Sequence, residues 1–266
     1  MTAIRYAEGV VLREDKEGAV YLTLNRPLRF NVLSEVVLAA LQGELDAIAT
    51  DPTARCVVIS ANGQGFCAGH DLREMRANPD HAYYQALFRR CSQVMQSIVA
   101  LPVPVIAKVQ GMATAAGCQL VASCDLAIAA RSASFAVSGI NVGLFCSTPA
   151  VALSRSMAPK RAFDMLVSGH FIDAETALDW GLLSAVTDVA DLDAAVTRKI
   201  EQIRSKSPAA VRYGKQLFHT QRQLPLAEAY ELAGQVMAEN MMNPDAGEGI
   251  DAFLEKRQPR WQQPRC

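Results

Sequence analysis

The sequence contains no apolar run approaching the roughly 20 residues that cross a bilayer, no CxxC pair, no GxGxxG turn, no P-loop and no clustered lysine and arginine tract. Each absence closes off a class of function. Without a GxGxxG turn or a P-loop, binding of a nucleotide through its phosphates has no specific support. Lys plus Arg number 26 against 27 for Asp plus Glu, a net charge of -1, so no basic field attracts a nucleic-acid backbone. Neither nucleic acid nor membrane is expected as a partner. The opening MTAIRYAEGV has neither an apolar signal core nor an Arg/Ser-rich amphipathic pattern, which leads to the expectation of a cytoplasmic protein. Cysteine is not scarce, at seven, but Cys56, Cys118, Cys124 and Cys146 lie inside apolar stretches such as RCVVIS and AGCQLVASCDLAIA, where a reduced thiol serves as a small core residue. Cys67 and His70 have CxxH spacing without a second ligand pair, so no metal site is expected.

What is present is apolar material, half of 266 residues, enough for one large core or two unequal ones. AVYLTLN (19–25) alternates like a half-buried strand, and Ser34 caps a helix with Val37, Leu38, Leu41, Leu45 and Ile48 on one face. RCVVISA (55–61) and PVIAKV (104–109) are short β-branched runs of the kind that form buried strands, and SCDLAIAA (123–130) makes a fourth. Beyond about residue 149 the pattern predicts helices only. These run over 149–157, over 160–167, from Asp173 as cap to Trp180 with Gly181 as the stop, and then from about 191, 208 and 225. A last helix is expected to open at Asp245, with Glu248 completing a capping box. The expected class is α/β with a helical C-terminal part, and no linker is long enough to separate independent domains.

The informative glycines lie between the strands. ANGQGFCAGHDLREM (61–75) leaves a strand through Gly63, Gly65 and Gly69 and enters a helix near Asp71, and VQGMATAAGCQL (109–120) does the same through Gly111 to Gly117. Amides at two such helix entries can aim at one oxygen as an oxyanion hole, and one donor of that kind is worth about 2.7–4 kcal/mol in a rate. The same small residues also permit close backbone packing, and spacing does not separate the two readings.

The strings LTLNRPLRFNVL, FCAGHDL, PVPVIAKVQGMATAAGCQLVASCDLAIA, WGLLSAV and AFLEKRQPRW occur in that order and together resemble the crotonase superfamily, the enoyl-CoA hydratase/isomerase family, over nearly the whole chain. GCQLVASCD with FAVSGINVGLFCSTPAVAL points to one branch of it. The resemblance implies a crotonase-like spiral of ββα units in which residues 1–200 form an acyl-CoA-binding core and residues 201–266 a helical C-terminal trimerisation region. It also implies a homotrimer or hexamer, an acyl-CoA substrate, and no cofactor beyond the coenzyme A that the substrate carries. Matched by motif, the oxyanion-hole donors are the backbone N–H groups of His70 and Ala116. Ala68 and Leu72 flank the adenine, with Asp71 in the same binding stretch. Arg29 and Lys256 lie near phosphates, the lysine reaching from a neighbouring subunit; a solvated surface role is the alternative for both cations. The His70 side chain is a separate candidate, as a donor to the thioester or as a base.

The same resemblance exposes a departure. In hydratases of this family one glutamate follows the Gly-Cys pair and a second stands four residues after the Phe of the next strand; here those positions hold Gln119 and Gly139. Glutamine does not take a proton and glycine has no side chain, so the usual pair that handles water and its proton is missing. Between Val109 and Met157 the only charged residues are Asp125, Arg131 and Arg155, and Asp125 fits a structural hydrogen-bonding role. Glu74 and the Cys146 thiol are secondary candidates. Three readings follow. The favoured one is a hydratase/isomerase-type enzyme that uses other groups. A decarboxylation on the same fold is the second, since FCAGHDL and INVGL also resemble the methylmalonyl-CoA decarboxylase branch, whose tyrosine position is Cys146 here. A non-catalytic acyl-CoA binder is the third.

Overall fold

Continuous apolar strands need cover on both faces. The computed structural model, which describes residues 9–262, provides it with a six-stranded sheet, a second sheet of three strands, and helices on either side. In chain order the elements are β1 (Val11–Lys16), β2 (Ala19–Leu24), α1 (Glu35–Ala49), β3 (Cys56–Ala61), α2 (Leu72–Ala77), α3 (His81–Ala100), β4 (Val105–Val109), β5 (Ala113–Thr114), α4 (Ala116–Ser123), β6 (Leu126–Ala130) and β7 (Ser134–Ala136). There follow α5 (Ser147–Ser156), α6 (Pro159–Ser168), β8 (Ile172–Asp173), α7 (Ala174–Asp179), β9 (Ala185–Thr187), α8 (Leu192–Arg204), α9 (Pro208–Gln221), α10 (Leu226–Met241) and α11 (Pro244–Leu254). The large sheet has the order β1-β2-β3-β4-β6-β9, antiparallel only between β1 and β2, and the small sheet has the order β5-β7-β8.

Period-2 alternation divides the large sheet into two faces. Val57 and Ile59 of β3 enter the main core with Val37, Leu41 and Leu45 of α1 and Leu87, Val94 and Ile98 of α3. Cys56 and Val58 point the other way, onto Leu192, Val196 and Ile200 of α8. Ser34 caps α1 as expected, its hydroxyl accepting from the Val37 amide, and the five predicted core residues of that helix are all buried.

Three expectations are corrected. Strands do not stop at residue 149: β8 pairs with β7, and β9 extends the large sheet beside β6. At two and three residues they are too short to show a period and are held by their neighbours. The fourth predicted strand starts at Leu126, because Ser123 still belongs to α4 and the Asp125 carboxylate accepts from the Val105 amide at 2.7 Å. The last helix is capped by Asn243, not Asp245; with Pro244 at its first position the Asn243 side chain accepts from the Asp245 amide at 3.0 Å. Asp245 is instead buried, accepting from the Ser207 hydroxyl at 2.6 Å and the Gln262 amide at 2.7 Å. The 20-residue α3 is an addition to the predicted set.

The helices α9, α10 and α11 pack on one another. What fixes α9 to the core is Lys215, whose buried ammonium donates to the Ile98 and Val103 carbonyls, each at 2.9 Å, and lies 2.7 Å from the Asp125 carboxylate.

Candidate active site

The two glycine-rich junctions meet. Past β3 the chain turns through Gly63 and Gly65 and then runs as Phe66, Cys67, Ala68 and Gly69 alongside Ala113–Thr114. The Cys67 amide donates to Met112 at 3.1 Å, and the Thr114 amide donates back to the Cys67 carbonyl at 2.9 Å. On its other side the segment is held by the Ala68 amide on Phe30 (2.9 Å) and the Leu33 amide on Gly69 (2.7 Å). Glycine is needed at two points of this contact. Gly69 has φ +88°, and a Cβ there would lie 2.9 Å from the Ala115 Cβ and 3.2 Å from the Ala116 nitrogen. A Cβ on Gly117 would overlap the Cys67 carbonyl oxygen and come within 2.7 Å of its carbon.

The Ala116 amide therefore sits against the backbone that leads directly into the His70 amide. Ala116 is the first residue of α4, and Ala115 before it holds φ +51° and ψ -120°, a conformation that a residue with a Cβ adopts only under constraint. Neither amide has an acceptor among the described residues. Two unpaired N–H groups, one of them at a helix N-terminus, are suited to an oxygen that gains negative charge.

Gln119 stands one turn along α4 from Ala116, on the same helix face. It is buried, and its Oε1 has no hydrogen-bond partner among the described residues. It lies on the wall of an open cavity of about 1300 Å³ that is also lined by Met95, Ser123, Thr148, Arg155 and Lys215. Gly139 lies in the turn Ser138–Val142, where a Cβ would fall 2.6 Å from the Leu144 carbonyl oxygen and 2.8 Å from Cys146 Sγ. The position that would carry the second glutamate thus has no space for a side chain. Burial raises the pKa of the Cys146 thiol, partly offset by the facing Gly139 amide, so the thiol stays protonated at neutral pH.

The remaining sequence candidates divide into two groups. Arg29 and Asp71 come together, a guanidinium nitrogen 3.6 Å from the carboxylate, while the same carboxylate caps α2 through the Arg73 and Glu74 amides. Ala68 and Asp71 adjoin the crossing, and Leu72 is exposed beside it. Lys256 is not brought to them: it follows α11 with φ +57°, and its ammonium has no ion pair among the described residues. The Glu74 carboxylate accepts from the Glu35 amide at 3.1 Å at the start of α1.

Sequence reasoning misses the Asp125–Lys215–His219 cluster. Besides Lys215, Asp125 meets His219 Nε2 at 2.7 Å, so one carboxylate serves two α9 side chains and the Val105 amide. Burial acts to raise the Asp125 pKa, but the bond from His219 and the charge of Lys215 outweigh it and hold it below the ordinary value. Lys215 is pushed the other way, downward, by burial. In the sequence Lys215 is one of several polar residues of α9, beside Arg212, Gln216 and His219, so nothing there marks it for burial or names its partner 90 residues earlier.

Comparison with known proteins settles the class. The family model described as enoyl-CoA hydratase/isomerase matches residues 14–264. The chain belongs to the enoyl-CoA hydratase/isomerase family, and its fold is the crotonase fold. The enoyl-CoA hydratase domain-containing protein 3 of rat is 44% identical over 246 residues, 92% of this chain and 82% of that one; the human protein is 44% identical over 245 residues, again 92% of this chain and 81% of that one. The crystal structure of an enoyl-CoA hydratase from Mycobacterium smegmatis, 55% identical, superposes with a TM-score of 0.94 over 96% of this chain and 99% of that one. The branch indicated by GCQLVASCD and FAVSGINVGLFCSTPAVAL is the one that the rat and human proteins represent. These names also overturn the expectation of a cytoplasmic protein, which rested on the composition of the first ten residues: both mammalian relatives are named as mitochondrial.

Proposed function

We propose that this protein acts on acyl-CoA thioesters as a hydratase/isomerase-type enzyme that holds the thioester oxygen between the backbone N–H groups of His70 and Ala116 and works without the usual glutamate pair. The observation that carries the reading is the crossing of the two glycine-rich junctions, which leaves two neighbouring amides without acceptors. A thioester carbonyl gains charge when its α-carbon is deprotonated or its β-carbon attacked, and preorganised amides stabilise that enolate more than the ground state. Ala68 and Leu72 would flank the adenine, and Arg29 would lie near phosphate while its pairing with Asp71 holds it in place. Lys256 could serve the same end only from a neighbouring subunit. Residues 1–200 would then bind substrate and residues 201–266 assemble the oligomer, a trimer or a dimer of trimers. Support for assembly comes from the C-terminal helices, where Met242 is 85% and Phe253 82% exposed.

One observation favours a second reading. The closed space around Gly139 suits a reaction that needs no second carboxylate, such as decarboxylation, in which the departing carboxylate itself supplies the electron pair and the amides hold the enolate. The test begins with binding. Acetyl-, butyryl- and crotonyl-CoA should raise the melting temperature by mass action. Loss of the enoyl absorbance of crotonyl-CoA and CO2 release from a malonyl-type thioester then separate the two chemistries. Binding without either reaction would mark a non-catalytic binder, and no binding of any acyl-CoA would sink the thioester site altogether.

A further inference from the structure

The crossing supplies amides to hold an oxygen, but the nearby carboxylates and thiol are engaged elsewhere. Glu74 accepts from the Glu35 amide, and Asp71 caps α2 and faces Arg29. Asp125 is shared between the Val105 amide, Lys215 and His219. Cys146 is buried against Gly139 and protonated. Gln119 and Gly139 offer no base.

The His70 imidazole is different. Its Nδ1 lies 3.4 Å from the Leu33 carbonyl oxygen, and a carbonyl only accepts, so the hydrogen of the neutral ring belongs on Nδ1. Nε2 is then a bare lone pair. That atom is buried and has no partner among the described residues. The ring stands edge-on to Phe88 of α3, with centroids 5.4 Å apart, and Phe88 stacks on Tyr84, whose hydroxyl donates to the Met75 carbonyl. Burial lowers the His70 pKa, opposed by the Leu33 contact, and the ring is neutral at pH 7. A buried acceptor with no donor is costly unless a ligand supplies one. It belongs, moreover, to the residue whose own amide is one of the two unpaired donors.

We propose that His70 is the proton acceptor of this site: Nε2 removes a proton from the carbon next to the thioester carbonyl while the backbone N–H of the same residue helps hold the carbonyl oxygen. The C–H bond breaks, its proton bonds to Nε2, and its electron pair moves through the forming C=C bond onto the oxygen. The enolate so formed lies between the His70 and Ala116 amides, and the imidazolium returns the proton to carbon. Nothing else is consumed. The substrate class is any acyl-CoA with at least one α-hydrogen. The inference rests on the thioester reading of the site.

Butyryl-CoA in D2O, followed by mass spectrometry, tests this directly. The wild-type protein should exchange α-hydrogens for deuterium, at a rate that is level at neutral pH and falls in acid with a midpoint below the ordinary histidine value, since burial lowers the pKa of this base. His70→Gln keeps the backbone amide, so butyryl-CoA should still raise the melting temperature while exchange slows by 10²- to 10⁴-fold. His70→Ala should regain part of the rate with added imidazole. Glu74→Gln should leave exchange unchanged. Exchange in His70→Gln within threefold of wild type overturns the proposal, as does wild-type protein that binds butyryl-CoA and exchanges nothing. Should both variants fail to fold, the wild-type profile decides, and a rate still climbing above pH 8 without a plateau overturns it. Failure to bind any acyl-CoA strikes at the thioester reading instead.

Discussion

Gly117→Ala is the smallest change that should disable the crossing. The added methyl would overlap the Cys67 carbonyl oxygen and lie 2.7 Å from its carbon and 2.8 Å from the Cys67 Cβ. Two of these are backbone atoms that cannot swing aside. Restoring an ordinary carbon contact of roughly 3.5 Å moves α4 and the Cys67 segment apart by about 1 Å. Overpacking of this kind costs about 1–3 kcal/mol. The displaced carbonyl also accepts from the Thr114 amide, and losing that bond adds about 1 kcal/mol. A total of about 2–4 kcal/mol corresponds to a melting temperature lower by about 5–15 °C for a chain of this length. The functional effect should exceed the loss of stability, because Ala116 precedes the substituted residue and its amide moves with it; one misplaced donor costs about 2.7–4 kcal/mol in a rate. Calorimetry and acyl-CoA titration of the folded variant are the assays. Gly43→Ala serves as control: that residue is exposed on α1 with nothing within 4 Å of the new carbon, and the change should be neutral or stabilising by up to about 1 kcal/mol. A Gly117→Ala protein that melts within 1 °C of wild type and binds acyl-CoA equally well would refute the reasoning.

Gln119→Glu should raise crotonyl-CoA hydration above a wild-type rate well below that of a glutamate-bearing relative, whereas Gly139→Glu should lower the melting temperature and add no rate, since its Cβ meets Leu144 and Cys146. A wild-type rate equal to that of ordinary hydratases would contradict this. Lys215→Met leaves the part-buried Asp125 carboxylate without its buried cation and should cost about 3–5 kcal/mol in chemical denaturation; a loss under 1 kcal/mol would show that the pair contributes little. The folded-state pKa of Asp125 lies below its ordinary 3.8, so its stabilising contribution is complete above that value and fades as pH falls through the folded value; Lys215→Met should flatten this part of the acid unfolding curve. Sedimentation at micromolar concentration should give a trimer or hexamer, and a strictly monomeric mass would count against the assembly proposed for the C-terminal helices.

Much of the fold is legible because burial imposes period. The five buried positions of α1 repeat at helical spacing, and the apolar runs of β2, β3 and β4 are long enough to declare themselves. The helix α3 carries the same kind of signal in Leu87, Cys91, Val94, Met95 and Ile98, which the expectations do not use. β8 and β9 carry none, because strands of two or three residues are defined by the neighbours they dock against. The site is half legible. Glycine spacing marks both junctions, but only the folded chain shows Gly117 against Cys67, the closed volume at Gly139, and the His70 tautomer set by Leu33. Each depends on atoms from a segment 37 or more residues away or from a turn that the sequence does not fix.

The Lys215 anchor makes α9 part of the same cooperative unit as the floor of the site. Its ammonium is coordinated by the end of α3, the turn before β4 and the carboxylate just beyond α4, three segments that meet only in the folded core. The helix cannot fray past this point one contact at a time: lifting it strips all three partners from a desolvated charge in a single step, leaves two carbonyls without their donor and leaves the Asp125 carboxylate with the Val105 amide alone. Amide protons along α9 should therefore exchange on the schedule of β4 and α4, not on that of a surface helix.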